Sequence, residues 1–363
     1  MSIALYLFVA LIALSVLVFF HELGHYTAAK FFGVTIERFS IGFGKVLARK
    51  RCCDTEWTLS AIPLGGYVKM KGQDDANPLA KSTDTDSYNS KKPWQRIIIL
   101  LAGPVANLVL AFFVYLSISF YGAPVVVALD YIDPIVGSVS ANSPAEKAGL
   151  LPGDRILQIN HAPIEYWYQI GQHIQDAPDP IRLTIERDHR SESLQLNTKM
   201  IEGQNAYMET IHRRIIGIAP QADINATINF SPSRMLFYAG RETWKATTLI
   251  AVGIKKMSTG EVSHKQVGGA ITIFDIMMKF AERGMIYLLF IMALISVNLG
   301  VLNLLPIPAL DGGHIMFNLY EIITRRPPSE NALYYLTMLG WALLLGLMFL
   351  GLFNDINRLW GNG

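Results

Sequence analysis

Residues 3–30 read IALYLFVALIALSVLVFFHELGHYTAAK, an apolar run that only His21, Glu22 and His25 interrupt before Lys30. About 20 consecutive apolar residues are enough for a helix to cross a bilayer. The run therefore predicts a first membrane span with an HExxH motif inside it, and we expect this span to be retained rather than cleaved as a signal peptide. Ionisable side chains inside a span are costly and default to functional or paired roles.

Three further apolar runs give a prediction of four spans. They cover residues 97–121, 285–305 and 333–353, and none of them contains a charged residue. The chain of 363 residues is 51% hydrophobic and 17% charged, whereas a soluble domain carries about 25% charged residues. These values exclude a disordered chain, a coiled coil and an ordinary cytosolic enzyme. They predict a polytopic α-helical membrane protein with four transmembrane helices.

The charges between the spans predict the orientation in the membrane. Residues 30–96 hold 12 basic and 7 acidic residues, and residues 122–284 hold 16 basic and 17 acidic residues. The positive-inside rule places the first of these segments in the cytoplasm. We therefore expect both termini and residues 122–284 to be extracytoplasmic. A net charge of +2 gives no reason to expect a nucleic acid partner. The four apolar spans make the lipid bilayer the expected surroundings.

The segment after the first span, residues 33–96, predicts a cytoplasmic-side β segment followed by a polar loop. Short strands are predicted at 41–46 and 56–62, a turn at 63–67 and a further strand at 68–70. Residues 71–93 are polar and predict a loop.

The extracytoplasmic segment predicts a small α+β domain at 122–220, with a spacer domain as the plainer alternative. Residues 221–284 predict an amphipathic helix over 232–257 and a linker, and the Trp and Lys side chains of this helix suit a membrane interface or simple packing. The complete predicted order is first span 1–32, β segment and loop 33–96, second span 97–121, α+β domain 122–220, helix and linker 221–284, broken third span 285–320, and loop and fourth span 321–363.

The HExxH motif predicts a metal site. On a helix, His21 and His25 share a face because they are four residues apart, so both imidazoles can bind one cation. Zinc suits two neutral histidines and a carboxylate, with one position left open for water. Glu22 can then take a proton from that water and pass it to the leaving amine.

Asp311 is the best candidate for the third ligand. It follows Pro306 and Pro308, which must break the third span, and broken backbone at membrane depth either lines a cavity or is buried in protein. The alternative for Asp311 is an N-cap of the next helix. His314 could also bind metal, although a buried helix histidine is the favoured interpretation.

Polar amides inside the spans have two open interpretations. Asn107 could polarise the scissile carbonyl or steady an oxyanion, or it could form an interhelical hydrogen bond. Asn298 and Asn303 have the same two alternatives.

Four stretches together carry a family resemblance: FHELGH at 20–25, IPLGGYVKM at 62–70, AGPVAN at 102–107 and SVNLGVLNLLPIPALDGGH at 296–314. The chain resembles the site-two protease family of intramembrane zinc metalloproteases, and within it the bacterial RseP (regulator of sigma-E protease) branch.

The resemblance implies one Zn²⁺ per chain, bound by His21, His25 and Asp311, with Glu22 as general base and Asn107 assisting catalysis. It implies a membrane-reentrant β segment that holds an unwound substrate helix as an added strand. The residues expected to contact substrate are Asn303, Pro306, Pro308, Gly65, Gly66 and Tyr67.

The resemblance also extends to the domain at 122–220. Residues 148–160, AGLLPGDRILQIN, are similar to a PDZ domain. The best-known relatives carry two PDZ domains, whereas this chain has room for one. The implied substrates are single-pass membrane proteins, such as trimmed anti-sigma factors, and remnant signal peptides, and the implied location is the bacterial cytoplasmic (inner) membrane. A catalytically idle scaffold that works through its PDZ domain and a zinc transporter remain as alternatives.

Overall fold

The structure, a computed structural model of the chain, describes residues 3–73, 82, 84–207, 209–223, 225–263 and 267–360. The chain forms two compact units, one of residues 1–117 with 236–363 and the other of residues 118–235. Parts of the predicted loop at 71–93 and of the predicted linker before residue 285 lie outside the described residues.

The helices and strands follow in chain order. The helices are α1 (Ile3–Phe31), α2 (Pro93–Tyr121), α3 (Val125–Ala128), α4 (Pro144–Lys147), α5 (Trp167–Asp176), α6 (Pro232–Ser258), α7 (Ala270–Arg283), α8 (Met285–Asn303), α9 (Asp311–Thr324) and α10 (Glu330–Trp360). The strands are β1 (Ile36–Cys52), β2 (Thr55–Met70), β3 (Ala123–Pro124), β4 (Val136–Val139), β5 (Arg155–Ile159), β6 (Ala162–Pro163), β7 (Ile181–Arg187), β8 (Arg190–Leu196), β9 (Lys199–Gln204), β10 (Thr210–Ile215), β11 (Ile218–Pro220) and β12 (Thr227–Ile228).

Four helices, α1, α2, α8 and α10, are long and apolar enough to cross a membrane. They coincide with the four apolar runs of the sequence, so the prediction of a helical membrane protein with four spans is confirmed by length and composition. Helix α2 begins at Pro93, four residues before its apolar run. Proline suits the first helical position because its φ is already helical and its missing N–H would have no partner there.

The segment after α1 is a hairpin of two long antiparallel strands, β1 and β2. Residues 46–52 pair with 55–60 across the loop at 53–54, and residues 36–41 lie opposite 66–70. Residues 38–41 also pair with 56–59, in the same chain direction, whereas their pairing with 66–69 is antiparallel. The chain therefore reverses between residues 59 and 66, which agrees with the predicted turn near 63–67, and the paired strand that follows covers 66–70, two residues more than the predicted 68–70. The glycines that suggested this turn also allow close packing: a Cβ on Gly66 would lie 2.7 Å from the Ser40 carbonyl oxygen.

The third apolar run is broken as predicted. Helix α8 ends at Asn303 and α9 begins at Asp311, with Pro306 and Pro308 in the connection, where neither can donate a helical hydrogen bond. The N-cap residue of α9 is Leu310, and no side chain caps this end. The alternative of Asp311 as an N-cap is therefore wrong, which leaves its carboxylate for another role.

Helix α7 occupies much of the segment predicted as a linker. Its first backbone N–H groups are held by Asp355 of α10, which accepts hydrogen bonds from the N–H groups of Gly269 (2.9 Å) and Thr272 (3.1 Å). Along its length α7 packs against α1 and α8, where Ala10, Met277 and the residues around them form a buried apolar cluster. Sequence reasoning missed this helix because Gly268 and Gly269 precede it and are typical of a loop.

The second unit is an α+β domain, as predicted. Strands β6, β5, β7 and β8 form an antiparallel sheet in that order. Its core includes the buried residues Leu150, Ile156, Ile159, Ile170, Ile174, Ile181, Leu183 and Ile185. Arg187 of β7 donates two hydrogen bonds to the buried carboxylate of Asp154, at 2.7 and 2.6 Å. This bidentate pair ties the turn before β5 to β7.

Candidate metal centre

His21, His25 and Asp311 meet at one point between α1 and the start of α9. Nε2 of His21 and Nε2 of His25 are 3.2 Å apart. Oδ2 of Asp311 lies 3.3 Å from the first of these atoms and 3.4 Å from the second. Both histidines are buried. The pair four residues apart on a helix and the distant carboxylate are therefore brought together as the sequence predicted.

The arrangement has the electrostatics of a cation site. His25 Nδ1 lies 2.9 Å from the Ile99 carbonyl oxygen, which can only accept, so Nδ1 carries the proton. In the neutral ring Nε2 then presents a lone pair towards Asp311. Asp311 Oδ2 is buried and has no hydrogen-bond partner among the described residues. Lone pairs that converge without a proton between them require a positive charge, and two imidazoles with a carboxylate are a ligand set that zinc accepts.

Asn107 of α2 lies behind His21. Its Nδ2 is 3.1 Å from His21 Nδ1, and its Oδ1 is buried without a hydrogen-bond partner in the described part of the chain. The two amide orientations differ by a half-turn that exchanges O and N. The orientation with Oδ1 towards His21 satisfies this oxygen and places the imidazole proton on Nδ1, which leaves Nε2 of His21 as a ligand atom.

Two glycines let α1 and α2 approach closely at this point. A Cβ on Gly24 would clash with the Ala102 carbonyl oxygen. A Cβ on Gly103 would clash with Nε2 of His25 and come within 2.9 Å of Cε1 of His21. Neither glycine was singled out from the sequence, although both lie inside conspicuous motifs, HELGH and AGP. Their role depends on a distance between helices that no single sequence displays.

A cavity of about 680 Å³ opens beside the three candidate ligands. Glu22 lines it next to them, and so do residues of strand β2, the connection before α9, and helix α10. The polar and aromatic side chains of its wall include those of Tyr67, Lys69, Gln73, Asn303, His314, Thr337 and Trp341. The cavity extends from the candidate ligands to residues 65–70 of β2.

The remaining predicted site residues divide into two groups. Gly65, Gly66 and Tyr67 all line the cavity, and a Cβ on Gly66 would lie 3.4 Å from Cγ of Glu22. Asn303 also lines it, with Nδ2 3.3 Å from Nε2 of His21.

Pro306 and Pro308 are not among the described residues that line the cavity, whereas Ala309 and Leu310 are. His314 lines the wall but lies outside the cluster of three candidate ligands. Thr337 and Trp341 of α10 also line the cavity, and the sequence did not predict this. In a helix that is apolar on all sides, the sequence does not indicate which face lies next to the candidate ligands.

A model of peptidase family M50 matches residues 9–347. This chain belongs to peptidase family M50. It is 43% identical over 350 residues to a "Putative zinc metalloprotease" of Campylobacter jejuni, with 96% of this chain and 93% of that protein covered. It is 38% identical over 359 residues to one from Helicobacter pylori, with 97% and 99% covered.

A longer relative is "Regulator of sigma-E protease RseP" of Salmonella typhimurium. It is 32% identical over 443 aligned positions, which cover 96% of this chain and 98% of that protein. The alignment is longer than the 363 residues of this chain, so the Salmonella protein carries additional residues. With the M50 match, these relatives establish a membrane-embedded zinc metalloendopeptidase, and its cofactor is Zn²⁺.

Proposed function

We propose that this M50 peptidase is an intramembrane protease that hydrolyses peptide bonds within the transmembrane segments of single-pass membrane proteins, of the anti-sigma factor or remnant signal peptide type. One observation carries the proposal. Of the converging residues, His21 and His25 lie on α1, itself a candidate span, and Asp311 begins α9 directly after the broken connection that follows α8. A site at this depth meets substrates that lie in the bilayer.

Each residue of the centre has a defined task. His21, His25 and Asp311 hold the zinc, and Asn107 and the Ile99 carbonyl fix the two imidazole rings. Zinc bound there lowers the pKa of its water and polarises the substrate carbonyl. Glu22 takes the proton from the attacking water and delivers it to the leaving amine. The Asn303 amide, beside His21, donates a hydrogen bond to the substrate carbonyl.

Strand β2 binds the substrate. A transmembrane helix hides its peptide bonds in its own hydrogen bonds, so it must unwind before it can be cut. In the strand register of the described residues, the segment 66–68 pairs with 39–41 alone, and it lines the cavity. An unwound substrate can pair with its free side by β-addition. The connection that holds Pro306 and Pro308 shapes the opposite side of this groove.

The orientation follows the charge bias of the loops. Both termini and residues 122–284 are extracytoplasmic, and the protein is a multi-pass protein of the bacterial cytoplasmic (inner) membrane. His21 lies towards the end of α1 that reaches the cytoplasmic side, so cleavage occurs in the cytoplasmic half of the substrate span. The domain at 122–220 is a single PDZ domain that reads or filters substrates.

The test is a paired measurement on the full chain in detergent. The substrate is a model single-pass protein whose outer domain has been removed. Wild type is compared with Glu22→Gln, and Glu282→Gln on the exposed face of α7 is the matched control. Loss of cleavage in Glu22→Gln with zinc retained is expected. Equal cleavage by Glu22→Gln and wild type would overturn the assignment and direct attention to the domain at 122–220.

A further inference from the structure

The tip of the β1–β2 hairpin holds two cysteines that the metal centre does not use. Cys52 is the last residue of β1 and pairs with Thr55. Cys53 and Asp54 form the two-residue loop, with φ of +52° and +63°. Both loop residues in the left-handed region are typical of a type I′ turn, where Asn and Gly are the usual occupants. Cys53 therefore adopts a left-handed backbone conformation, which is unfavourable for a residue with a Cβ atom.

The two thiols lie side by side in solvent. Their Sγ atoms are 3.4 Å apart, both residues are exposed and free of a disulfide, and they are the only cysteines of the chain. The turn is fixed to the last turn of α1, where Lys30 Nζ donates a hydrogen bond of 3.3 Å to the Cys53 carbonyl oxygen. The sulfur pair is thus presented by a short, anchored turn and not by a loose loop.

The backbone geometry of adjacent residues does not favour a disulfide bond between Cys52 and Cys53. Adjacent Cα atoms are about 3.8 Å apart, whereas disulfides usually join Cα atoms about 4.4–6.8 Å apart. A third atom between the sulfurs removes this conflict, since each sulfur then bonds to the bridging atom and not to its neighbour.

The thiol of Cys53 is protonated when the site is empty. The hydrogen bond with Cys52 raises the pKa of the Cys53 thiol, and the opposing effect of the Lys30 ammonium is smaller. The Cys53 thiol therefore carries its own proton until a bridging centre replaces it.

We propose that Cys52 and Cys53 form a chelating dithiol site for soft thiophilic centres of the trivalent arsenic class. Binding of an arsenoxide is balanced without a redox change. Two S–H bonds and the As=O bond break, two As–S bonds form, and the oxygen leaves with both protons as one water. Pyramidal As(III) takes two sulfurs at a narrow angle, which suits sulfurs already in contact.

The test uses the full chain in detergent, with phenylarsine oxide as the probe and intact mass as the readout. One arsenical per chain is expected, resistant to an excess of a monothiol and removed by a dithiol. Cys52→Ser and Cys53→Ser can each form only one As–S bond, so the affinity of either variant for phenylarsine oxide should be about 100-fold lower than that of wild type. Asp54→Gly keeps both thiols and favours the same turn, and it should bind as wild type does.

Three results would overturn the proposal. They are two arsenicals on one wild-type chain, no adduct at all, or an adduct in either serine variant that resists the monothiol as wild type does. None of these outcomes depends on peptidase activity, so the proposal is separable from the proposed function.

Discussion

The amide of Asn107 lies 3.1 Å from Nδ1 of His21, and it joins the second spanning helix to the candidate metal ligand on the first. Asn107 is fully buried, and its backbone oxygen accepts a hydrogen bond of 2.8 Å from the Ser296 hydroxyl of α8. Three spanning helices thus meet at this residue. These contacts agree with the interhelical hydrogen bond that the sequence offered as one interpretation of Asn107, and we propose that the residue also acts on the metal centre by positioning His21.

Asn107→Leu should weaken zinc binding, because His21 loses the acceptor that holds its proton on Nδ1. Loss of such a partner typically lowers metal affinity by about 10–100-fold. Zinc dissociation constants from competition with a chelating indicator measure the effect. Asn107→Asp keeps an oxygen acceptor and should restore most of the affinity. Equal zinc affinity in all three proteins would contradict the positioning role.

Gly103→Ala should remove zinc from the protein without unfolding it. The added Cβ would clash with Nε2 of His25 and approach Cε1 of His21 at 2.9 Å, so the ligand rings must turn away. Zinc content per purified chain is the measurement, with helicity as the check on folding. Gly346→Ala in α10 is the matched control, since a Cβ there meets nothing within 4 Å. Full zinc occupancy in Gly103→Ala would show that the centre has more room than these distances allow.

The spans and the metal ligands could be predicted from the sequence because each has a local signal. Apolar runs of about 20 residues mark spanning helices, and the spacing of His21 and His25 fixes their common helix face. Asp311 could be predicted because two prolines mark the break that precedes it. These features depend on residues close together in the chain.

The course of β2 and the helix contacts could not be predicted in the same way. Gly65 and Gly66 suggest a turn by composition, and the chain does reverse before Gly66, but the pairing of both 56–59 and 66–69 with residues 38–41 joins positions at least 18 residues apart. The need for glycine at Gly103 arises from a histidine 78 positions away, on another helix. Helix α7 was interpreted as linker because two glycines precede it. The contact that holds its N-terminus comes from Asp355, 86 positions from Gly269, and has no local signal in the sequence.

The junction between the β hairpin and the following loop should loosen in acid. The Lys71 ammonium, with help from the Thr35 hydroxyl, holds the pKa of Asp86 below its usual range, and Lys71 Nζ lies 2.8 Å from Asp86 Oδ1. A carboxyl whose folded pKa is depressed stabilises the folded state above its unfolded pKa. That contribution is lost as the pH falls from about 4 through the folded pKa.

Limited proteolysis between pH 6 and pH 3, with an acid-active protease, measures this loosening near residue 86. Cleavage there should rise as the pH falls in wild type. Asp86→Asn, which has no charge to lose, should be cleaved readily at both ends of the range. A pH-independent pattern in wild type would argue against the Lys71–Asp86 contact.

The contact of Asp355 with α7 should set the stability of the membrane unit. The Asp355 carboxylate is buried and accepts hydrogen bonds from two backbone N–H groups and the Thr272 hydroxyl. Asp355→Leu leaves these donors buried without an acceptor, at about 1–3 kcal/mol for each group left unpaired. The side chains of Ala10 and Met277 then lose part of the packing that α7 provides, so the unfolding midpoint in detergent should fall.

Asp275→Leu is the control, at an exposed carboxylate of α7 that pairs only with Lys279 among the described residues. This variant should change the unfolding midpoint little, because surface ion pairs contribute about 0–1 kcal/mol. If both variants melted alike, Asp355 would be one surface charge among others, and the end of α10 would have no part in holding α7 against α1.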